Sequence, residues 1–190
     1  MTHLKIGGTA PDFTWRTVQG QPVDLQAFRG HSVLLVFFRY SGCRYCTLQL
    51  WSLNQHYAQW HAMGLEVIAF FESPIEDAHT IVKRVPVPFA VCADPDLVIY
   101  RRYGVATSWW GAMIGILRRR ADRQAIATMG LLDGITPSTG SRIRMPAQFL
   151  ITPEGTIAQA HYGRDLGDFL PIDEISEFAG RYGTMPLQRR

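Results

Sequence analysis

Two strongly apolar segments, separated by a helical one, constrain the fold of this chain more than any other feature. Residues 32–39 read SVLLVFFR and residues 65–71 read LEVIAFF. Strand-forming residues without polar alternation predict strands that are covered on both faces of a sheet. Between them, from Cys46 to His61, apolar residues recur at helical spacing, and Gly64 ends the pattern. Buried strands that alternate with helices predict an α/β domain.

The rest of the chain extends this plan on both sides. The sequence predicts an N-terminal hairpin at 13–25 and a helix at 73–84 that begins with a capping box. It also predicts a short strand at 89–92, a short helix at 94–103, a second hairpin at 145–162 and a C-terminal amphipathic helix at 172–182. We expect one domain over residues 1–190, with a mixed central sheet flanked by helices. Residues 105–142 do not fit the alternation and are predicted to be a helical insertion.

Composition and charge exclude several classes of protein. The chain has 190 residues, of which 47% are hydrophobic and 18% charged, as expected for a globular protein with a sizeable core. The N-terminus has no apolar leader, and the apolar run 109–117 is too short to span a bilayer. Three cysteines do not make a disulfide scaffold and fit a reducing compartment. We therefore expect a soluble, cytoplasmic protein with neither a metal nor another cofactor.

The segment SGCRYC carries the chemistry. Cys43 and Cys46 follow the first buried strand and open the helix after it, so the first sulfur is expected at a helix N-terminus. Unpaired amide N–H groups and the helix dipole favour a negative charge there, which lowers the pKa of a thiol. Arg44 and also Arg39 are expected to add to that effect. Cys46, one turn further on, can close a disulfide with Cys43.

Two other interpretations of the cysteine pair stay open. A structural zinc site needs four ligands, and the sequence has neither a second C-x-x-C nor an H-x3-5-H pair. A purely structural disulfide between residues three apart closes a very small loop and stabilises little. Redox activity is the leading hypothesis.

Over nearly its whole length the chain resembles the thioredoxin-like superfamily, in particular its peroxiredoxin-like branch (alkyl hydroperoxide reductase/thiol-specific antioxidant). The resemblance rests on IGGTAPDFTWRTVQGQPVDLQAFRGHSVLLVFF, on PVPFAVCADPDLVIYRRYGV and on MPAQFLITPEGTIAQAHYG. It implies a thioredoxin-like fold and a thiol-based reaction. A peroxiredoxin-like body with a C-x-x-C is also similar to redox proteins related to selenoprotein L.

The departures from the peroxiredoxin pattern favour disulfide exchange. The proline and threonine of the P-x-x-x-T-x-x-C signature are missing, and the place of the peroxidatic arginine is taken by Pro146. Pro146 aligns with the cis-proline of thioredoxins, which implies a cis bond after Met145 and a substrate-contacting turn at both residues. Arg142 and Arg144 are candidates to replace the missing arginine. Between the cysteines, Arg44 and Tyr45 are expected on the substrate-contacting surface.

Two further candidates have competing interpretations. The position of the buried acid of thioredoxins falls near Phe37, which cannot titrate. Glu72, at the end of the second strand, is a candidate proton acceptor for Cys46, with a solvent-facing loop glutamate as the alternative. Cys92, in an apolar strand, is expected to be an inert buried thiol, with a resolving role as the alternative.

The insertion is basic and rich in aromatic residues. Residues 101–144 contain eight arginines and two aspartates, and its apolar residues Trp110, Met113, Ile114, Leu117 and Ala121 lie on one helical stripe. This segment is expected to pack on its own domain, to form a homodimer contact, or to rest on an anionic membrane surface.

We therefore predict a thiol–disulfide oxidoreductase with Cys43 as the nucleophile and Cys46 as the resolving thiol. The expected partners are a disulfide-bearing protein or a small thiol or peroxide, with a thioredoxin or glutathione system as reductant; no nucleic-acid motif is present. The alternatives are a thiol-dependent peroxidase and a non-enzymatic redox or metal sensor.

Overall fold

A mixed five-stranded sheet forms the centre of the protein. The computed structural model describes residues 2–118 and 139–184. In the order β5-β4-β3-β6-β7, its strands are β3 (Ser32–Phe37), β4 (Leu65–Phe71), β5 (Ala90–Ala93), β6 (Ala147–Ile151) and β7 (Ile157–Tyr162). The first three are mutually parallel, and β6 and β7 are antiparallel to their neighbours. Both predicted apolar segments are therefore central strands.

In the described part of the chain, a hairpin and five helices surround the sheet. The hairpin comprises β1 (Thr14–Arg16) and β2 (Pro22–Asp24), and a 3-10 turn follows at Leu25–Phe28. The helices are α1 (Arg44–Ala62), α2 (Ile75–Arg84), α3 (Val98–Arg102), α4 (Trp109–Arg118) and α5 (Ile172–Arg181). Within the two described ranges, no helix has the length and apolarity that a bilayer crossing requires.

The alternating side chains of β3 enter two separate layers of the core. Leu34 and Val36 pack into the layer that includes α1, α2 and α5, whereas Leu35 and Phe37 pack into the layer of the N-terminal hairpin and α3. Every residue of β3 and β4 is buried. A strand that is covered on both faces has no solvent face, so its sequence shows no polar alternation.

The capping-box interpretation at the start of α2 is wrong in its detail. The helix begins at Ile75 with Pro74 at the N-cap, and no side chain caps it. The hydroxyl of Ser73 instead accepts a hydrogen bond from the Ser41 N–H at 2.9 Å and donates one to the Thr139 carbonyl at 3.1 Å. Ser73 therefore ties the cysteine loop to the end of the insertion.

The base of the predicted insertion is closed by backbone pairing. Thr107 forms an antiparallel bridge with Arg144, and the N–H of Met145 donates to the Ala106 carbonyl at 3.1 Å. The insertion thus leaves and re-enters the fold next to the start of β6. Residues 119–138, including Ala121 of the predicted stripe, lie outside the described residues.

Candidate active site

The two cysteines lie where α1 begins, beyond the carboxyl end of β3. Cys43 occupies the N-cap of α1, and its own N–H donates to the Tyr40 carbonyl at 3.0 Å. Both cysteines are free thiols, with Cys43 2% and Cys46 0% exposed. The expected strand-to-helix placement is confirmed, and the sulfur of Cys43 lies at the positive end of the helix dipole.

Arg39 contacts both cysteines. Its Nη1 donates to the Sγ of Cys43 at 3.2 Å, and its backbone N–H lies 3.4 Å from the Sγ of Cys46. The Arg39 side chain is itself buried. A guanidinium in this position stabilises a thiolate on Cys43 through both its charge and a charge-assisted hydrogen bond.

The environment separates the pKa values of the two thiols. Burial favours the neutral form of Cys43, but the Cys46 thiol, the Arg39 charge and the Cys46 backbone N–H together lower the pKa of Cys43 to about 6. Burial, the hydrogen bond to Cys43 and the negative charge on Cys43 raise the pKa of Cys46 well above its usual value. Near neutral pH the pair therefore consists of a Cys43 thiolate and a Cys46 thiol, which are a nucleophile and a proton-bearing resolving group.

Two backbone carbonyls of the segment that enters β6 hold Arg39 in place. Its Nε donates to the Arg144 carbonyl at 2.8 Å, and its Nη2 donates to the Arg142 carbonyl. The two arginines that the sequence offered as replacements for the peroxidatic arginine therefore contribute carbonyl oxygens, and Arg39 supplies the guanidinium.

Glu72 is buried and engaged with this same segment. Its Oε2 accepts from Arg144 Nε at 2.6 Å, and its Oε1 accepts from the Ser141 N–H at 3.1 Å. Its backbone N–H also donates to the Arg39 carbonyl at 3.1 Å. A solvent-facing loop glutamate is excluded, since Glu72 is 8% exposed. A role as proton acceptor for Cys46 stays a prediction. The carboxylate of Glu72 contacts Arg144 and the Ser141 N–H.

The turn at Met145 and Pro146 differs from the expected one. No peptide bond in the described ranges is cis, so the Met145–Pro146 bond is trans and the cis expectation is wrong. The extended backbone pairs on both sides of the proline, because Met145 N–H donates to Ala106 and the Pro146 carbonyl accepts from Gly163 at 2.8 Å. Met145 is buried in the same core layer as both cysteines, and the carbonyl of the preceding Arg144 accepts from Arg39. Substrate contact at Met145 and Pro146 stays a prediction.

Arg44 and Tyr45, the two residues between the cysteines, have different environments. Arg44 is exposed, as a residue on a substrate-contacting surface would be. Tyr45 is 9% exposed and packs in the core layer of α1. Tyr45 is therefore buried, in contrast to its expected place on the substrate-contacting surface.

Cys92 lies on the opposite face of the sheet from the cysteine pair. It is paired with Phe70 in register and belongs to the core layer of the N-terminal hairpin, whereas Cys43 and Cys46 belong to the other layer. Burial, with a smaller contribution from Asp94, raises the pKa of the Cys92 thiol to about 12. These observations agree with the interpretation of Cys92 as an inert thiol.

The link between Glu72 and Arg144 was not predicted from the sequence. The available signal was a single acidic residue directly after a buried strand, together with an arginine three residues before β6. Only the adjacency of β3, β4 and β6 in the sheet brings them together. In the part of the chain that the structure describes, no group of three or more His, Cys, Asp or Glu side chains is arranged to hold a metal ion.

Comparisons with known proteins agree with this geometry. Residues 6–160 match the model of the AhpC/TSA family. A chloroplastic peroxiredoxin Q of Sedum lineare is 27% identical over 109 residues, which cover 57% of this chain and 59% of that protein. The thiol-disulfide oxidoreductase ResA of Bacillus thuringiensis subsp. konkukian is 29% identical over 103 residues, covering 54% of this chain and 59% of that protein. The chain thus spans little more than half the length of these relatives.

The fold has solved counterparts. A structure of a thiol:disulfide interchange protein DsbE from Chlorobium tepidum superposes with a TM-score of 0.65 and 25% identity, covering 94% of this chain and 98% of that one. The thioredoxin-like architecture expected from the sequence is confirmed. With the family model matching most of its length, this chain belongs to the AhpC/TSA family.

Proposed function

We propose that this protein is a thiol–disulfide oxidoreductase that uses a Cys43–Cys46 dithiol–disulfide couple. The observation that carries the proposal is the contact between the Arg39 guanidinium and the sulfur of Cys43, with the Cys46 thiol hydrogen-bonded to that sulfur. The names of its relatives, which include a thiol-disulfide oxidoreductase and peroxiredoxins, support the same class of chemistry.

The reaction follows from the two thiols. The Cys43 thiolate attacks one sulfur of a substrate disulfide, a mixed disulfide forms, and the other substrate sulfur leaves as a thiolate. Cys46 then loses its proton and attacks the sulfur of Cys43, which releases the second substrate sulfur as a thiolate. The released thiolates take up protons, two electrons pass to the substrate, and the enzyme keeps a Cys43–Cys46 disulfide. A reductant such as a thioredoxin or glutathione restores the dithiol, in a reducing, cytoplasmic setting.

A thiol peroxidase is the second candidate, and the burial of Cys43 favours it. Cys43 is 2% exposed, so a protein disulfide reaches it only if the covering chain moves, whereas hydrogen peroxide is small. In this reaction the thiolate attacks the O–O bond, which gives a Cys43 sulfenic acid and water or an alcohol. Cys46 then condenses with the sulfenic acid, releasing water.

Comparing two substrates tests both proposals. Second-order rates are measured for a protein disulfide and for hydrogen peroxide with the wild type, Cys43→Ser and Cys46→Ser. We expect Cys43→Ser to abolish both reactions and Cys46→Ser to accumulate a mixed disulfide on Cys43. Cys92→Ser is the matched control and should react like the wild type.

Each alternative has its own outcome. Faster consumption of peroxide than of disulfide, with a sulfenic acid trapped in Cys46→Ser, assigns the peroxidase. Oxidation without turnover of either substrate, or stoichiometric zinc in the purified protein, assigns a sensor. A Cys43→Ser protein that still reduces the disulfide contradicts the role of Cys43.

A further inference from the structure

Helix α4 turns a broad apolar surface toward solvent. Six of its ten residues are large apolar side chains with substantial exposure, namely Trp109 (60%), Trp110 (75%), Met113 (39%), Ile114 (40%), Ile116 (45%) and Leu117 (73%). We call these six side chains the outer face of α4. The predicted stripe of Trp110, Met113, Ile114 and Leu117 is therefore directed outward, although packing on the domain was the first expectation for this segment.

The smallest residues of α4 hold it against the domain. Gly111, Ala112 and Gly115 are its buried positions. A Cβ on Gly111 would lie 2.7 Å from both the Arg164 carbonyl and the Met145 sulfur, and one on Gly115 would lie 2.9 Å from Leu166. Since the glycines allow this close approach, the helix is seated next to the Met145–Pro146 turn with its large side chains pointing away.

The outer face brings six exposed large apolar side chains together on one helix. Such patches rarely exceed a few hundred Å², and a single tryptophan side chain buries about 150–250 Å² when it is covered. Two tryptophans and four aliphatic or thioether side chains therefore make a surface of the size that marks an interaction site.

Three exposed arginines lie on α4 or on the segments that pack against it. Arg118 ends α4 and is exposed, and the exposed Arg142 precedes Ile143, whose carbonyl accepts from the Ser108 N–H at the start of the helix. The side chain of Arg164, whose carbonyl touches Gly111, is 92% exposed, and its Nε lies 3.5 Å from Asp168. Helix α4 itself has no acidic residue, and residues 101–144 contain eight arginines against two aspartates.

The positive charge near α4 favours an anionic bilayer over a second copy of the chain as the partner of the outer face. A second copy of the chain that packed face to face on α4 would bring two sets of arginines together, which is unfavourable at an apolar interface. A bilayer with anionic lipids places negative phosphates around the arginines and apolar chains under the helix. Tryptophan is enriched at the membrane–water interface, where its ring is half in the apolar region.

We propose that the outer face of α4 inserts into the interface of an anionic lipid bilayer, with Arg118, Arg142 and Arg164 at the headgroups. The helix lies in the membrane surface, as apolar helices flanked by basic residues do. This binding brings the redox site, through Met145, close to the bilayer. It is independent of which thiol reaction the site performs.

Vesicle binding by the full chain tests the proposal. The protein is sedimented with vesicles of phosphatidylcholine alone and with vesicles of phosphatidylcholine and phosphatidylglycerol. We expect binding to the anionic vesicles, with a blue shift of the tryptophan emission. Trp109→Ser/Trp110→Ser should lower the partition coefficient by about tenfold or more, because binding scales with the inserted apolar area. Arg118→Ser should lower it about fivefold.

A matched control and a measurement without substitutions keep the test decisive. Ile6→Ser removes an exposed apolar side chain outside α4 and should bind like the wild type. Quenching of wild-type tryptophan emission by lipids brominated in the acyl chain reports insertion without any variant. Disulfide reduction in solution should be unchanged in Trp109→Ser/Trp110→Ser, which separates a failure of membrane binding from a failure of the thiol reaction.

Three results would overturn the proposal. The first is no binding to anionic vesicles, and the second is equal binding to both vesicle types, which removes the role of the arginines. The third is a wild-type dimer in solution that Trp109→Ser/Trp110→Ser converts to a monomer, which would make the outer face of α4 a contact between two copies of the chain.

Discussion

Arg39 connects the thiol pair with the segment that enters β6. One end of its guanidinium donates to Cys43, and its other N–H groups donate to the carbonyls of Arg142 and Arg144. The side chain is thus held by the backbone on one side and directed at the sulfur on the other. Because its charge is buried, it acts on the thiolate through a medium that screens poorly.

Removing this charge should slow the reaction of Cys43. In Arg39→Gln we expect the pKa of Cys43 to rise from about 6, and the alkylation rate of reduced protein at pH 7 to fall roughly tenfold as the thiolate fraction drops. Arg44→Gln removes an exposed arginine beside the same cysteine and is the matched control. Equal losses in the two variants would contradict the assignment of Arg39.

The low pKa of Cys43 also has a pH signature. Below pH 6 the rate of alkylation should fall about tenfold per pH unit, because protonation removes the nucleophile, and above pH 6 it should level off. Between pH 6 and pH 9 the Cys43 thiol binds fewer protons in the folded reduced protein than in the unfolded chain. The contribution of Cys43 to the free energy of unfolding should therefore grow with pH over that range and disappear as the pH falls through 6. A rate midpoint near 9.0, the ordinary thiol value, would show that the site does not activate Cys43.

Glu72 is best explained as a positioning residue. Its carboxylate holds Arg144, whose carbonyl accepts from Arg39. We expect Glu72→Gln to loosen the Arg144 side chain, to displace the Arg144 carbonyl that holds Arg39 and, because the contact of Arg39 with Cys43 weakens, to shift the midpoint of Cys43 alkylation to higher pH. A proton acceptor for Cys46 would instead slow the release of the mixed disulfide and leave that midpoint unchanged. Stopped-flow alkylation and mixed-disulfide decay distinguish these two outcomes.

At the scale of elements, the two glycines of α4 set how closely this helix approaches the domain. In Gly111→Ala the new Cβ meets the Arg164 carbonyl and the Met145 sulfur at 2.7 Å, so we expect a loss of about 1–3 kcal/mol in the free energy of unfolding. Gly180→Ala, in α5, meets nothing within 4 Å and should gain up to about 1 kcal/mol from helix propensity. Urea unfolding of both variants measures the difference, and equal effects would show that α4 is not packed as described.

The bounds of helices and strands could be predicted where they depend on the pattern of apolar and turn-forming residues within the same segment. The sequence located β4 at Leu65–Phe71, α2 to its end at Arg84, and the start of the C-terminal helix at Ile172. It was less accurate where a long-range contact replaces a local one. Ser73 looks like an N-cap in its own segment, but its hydroxyl bonds to Ser41 and Thr139, so α2 begins without a side-chain cap.

At the scale of the whole molecule, Phe37 joins four aromatic rings in one core layer. Phe70, Tyr100, Tyr103 and Phe149 have their ring centroids 5.0–5.9 Å from that of Phe37. We expect Phe37→Ala to cost about 3–5 kcal/mol of unfolding free energy, since these neighbours leave a cavity that cannot collapse. Ile6→Ala, at an exposed apolar position, should change it by less than about 0.5 kcal/mol. Chemical denaturation checks both, and a small loss in Phe37→Ala would mean that this layer repacks.

The sequence alone determined the class of fold, the order of its elements and the placement of Cys43 and Cys46 at the start of a helix. These depend on burial periodicity and on residues a few positions apart. The tertiary structure decided which arginine contacts Cys43, which partner Glu72 takes and which way α4 faces. Arg39 and the Arg144 carbonyl are 105 residues apart in sequence. Such contacts exist only after β3, β4 and β6 have assembled into one sheet, and no local pattern of residues encodes them.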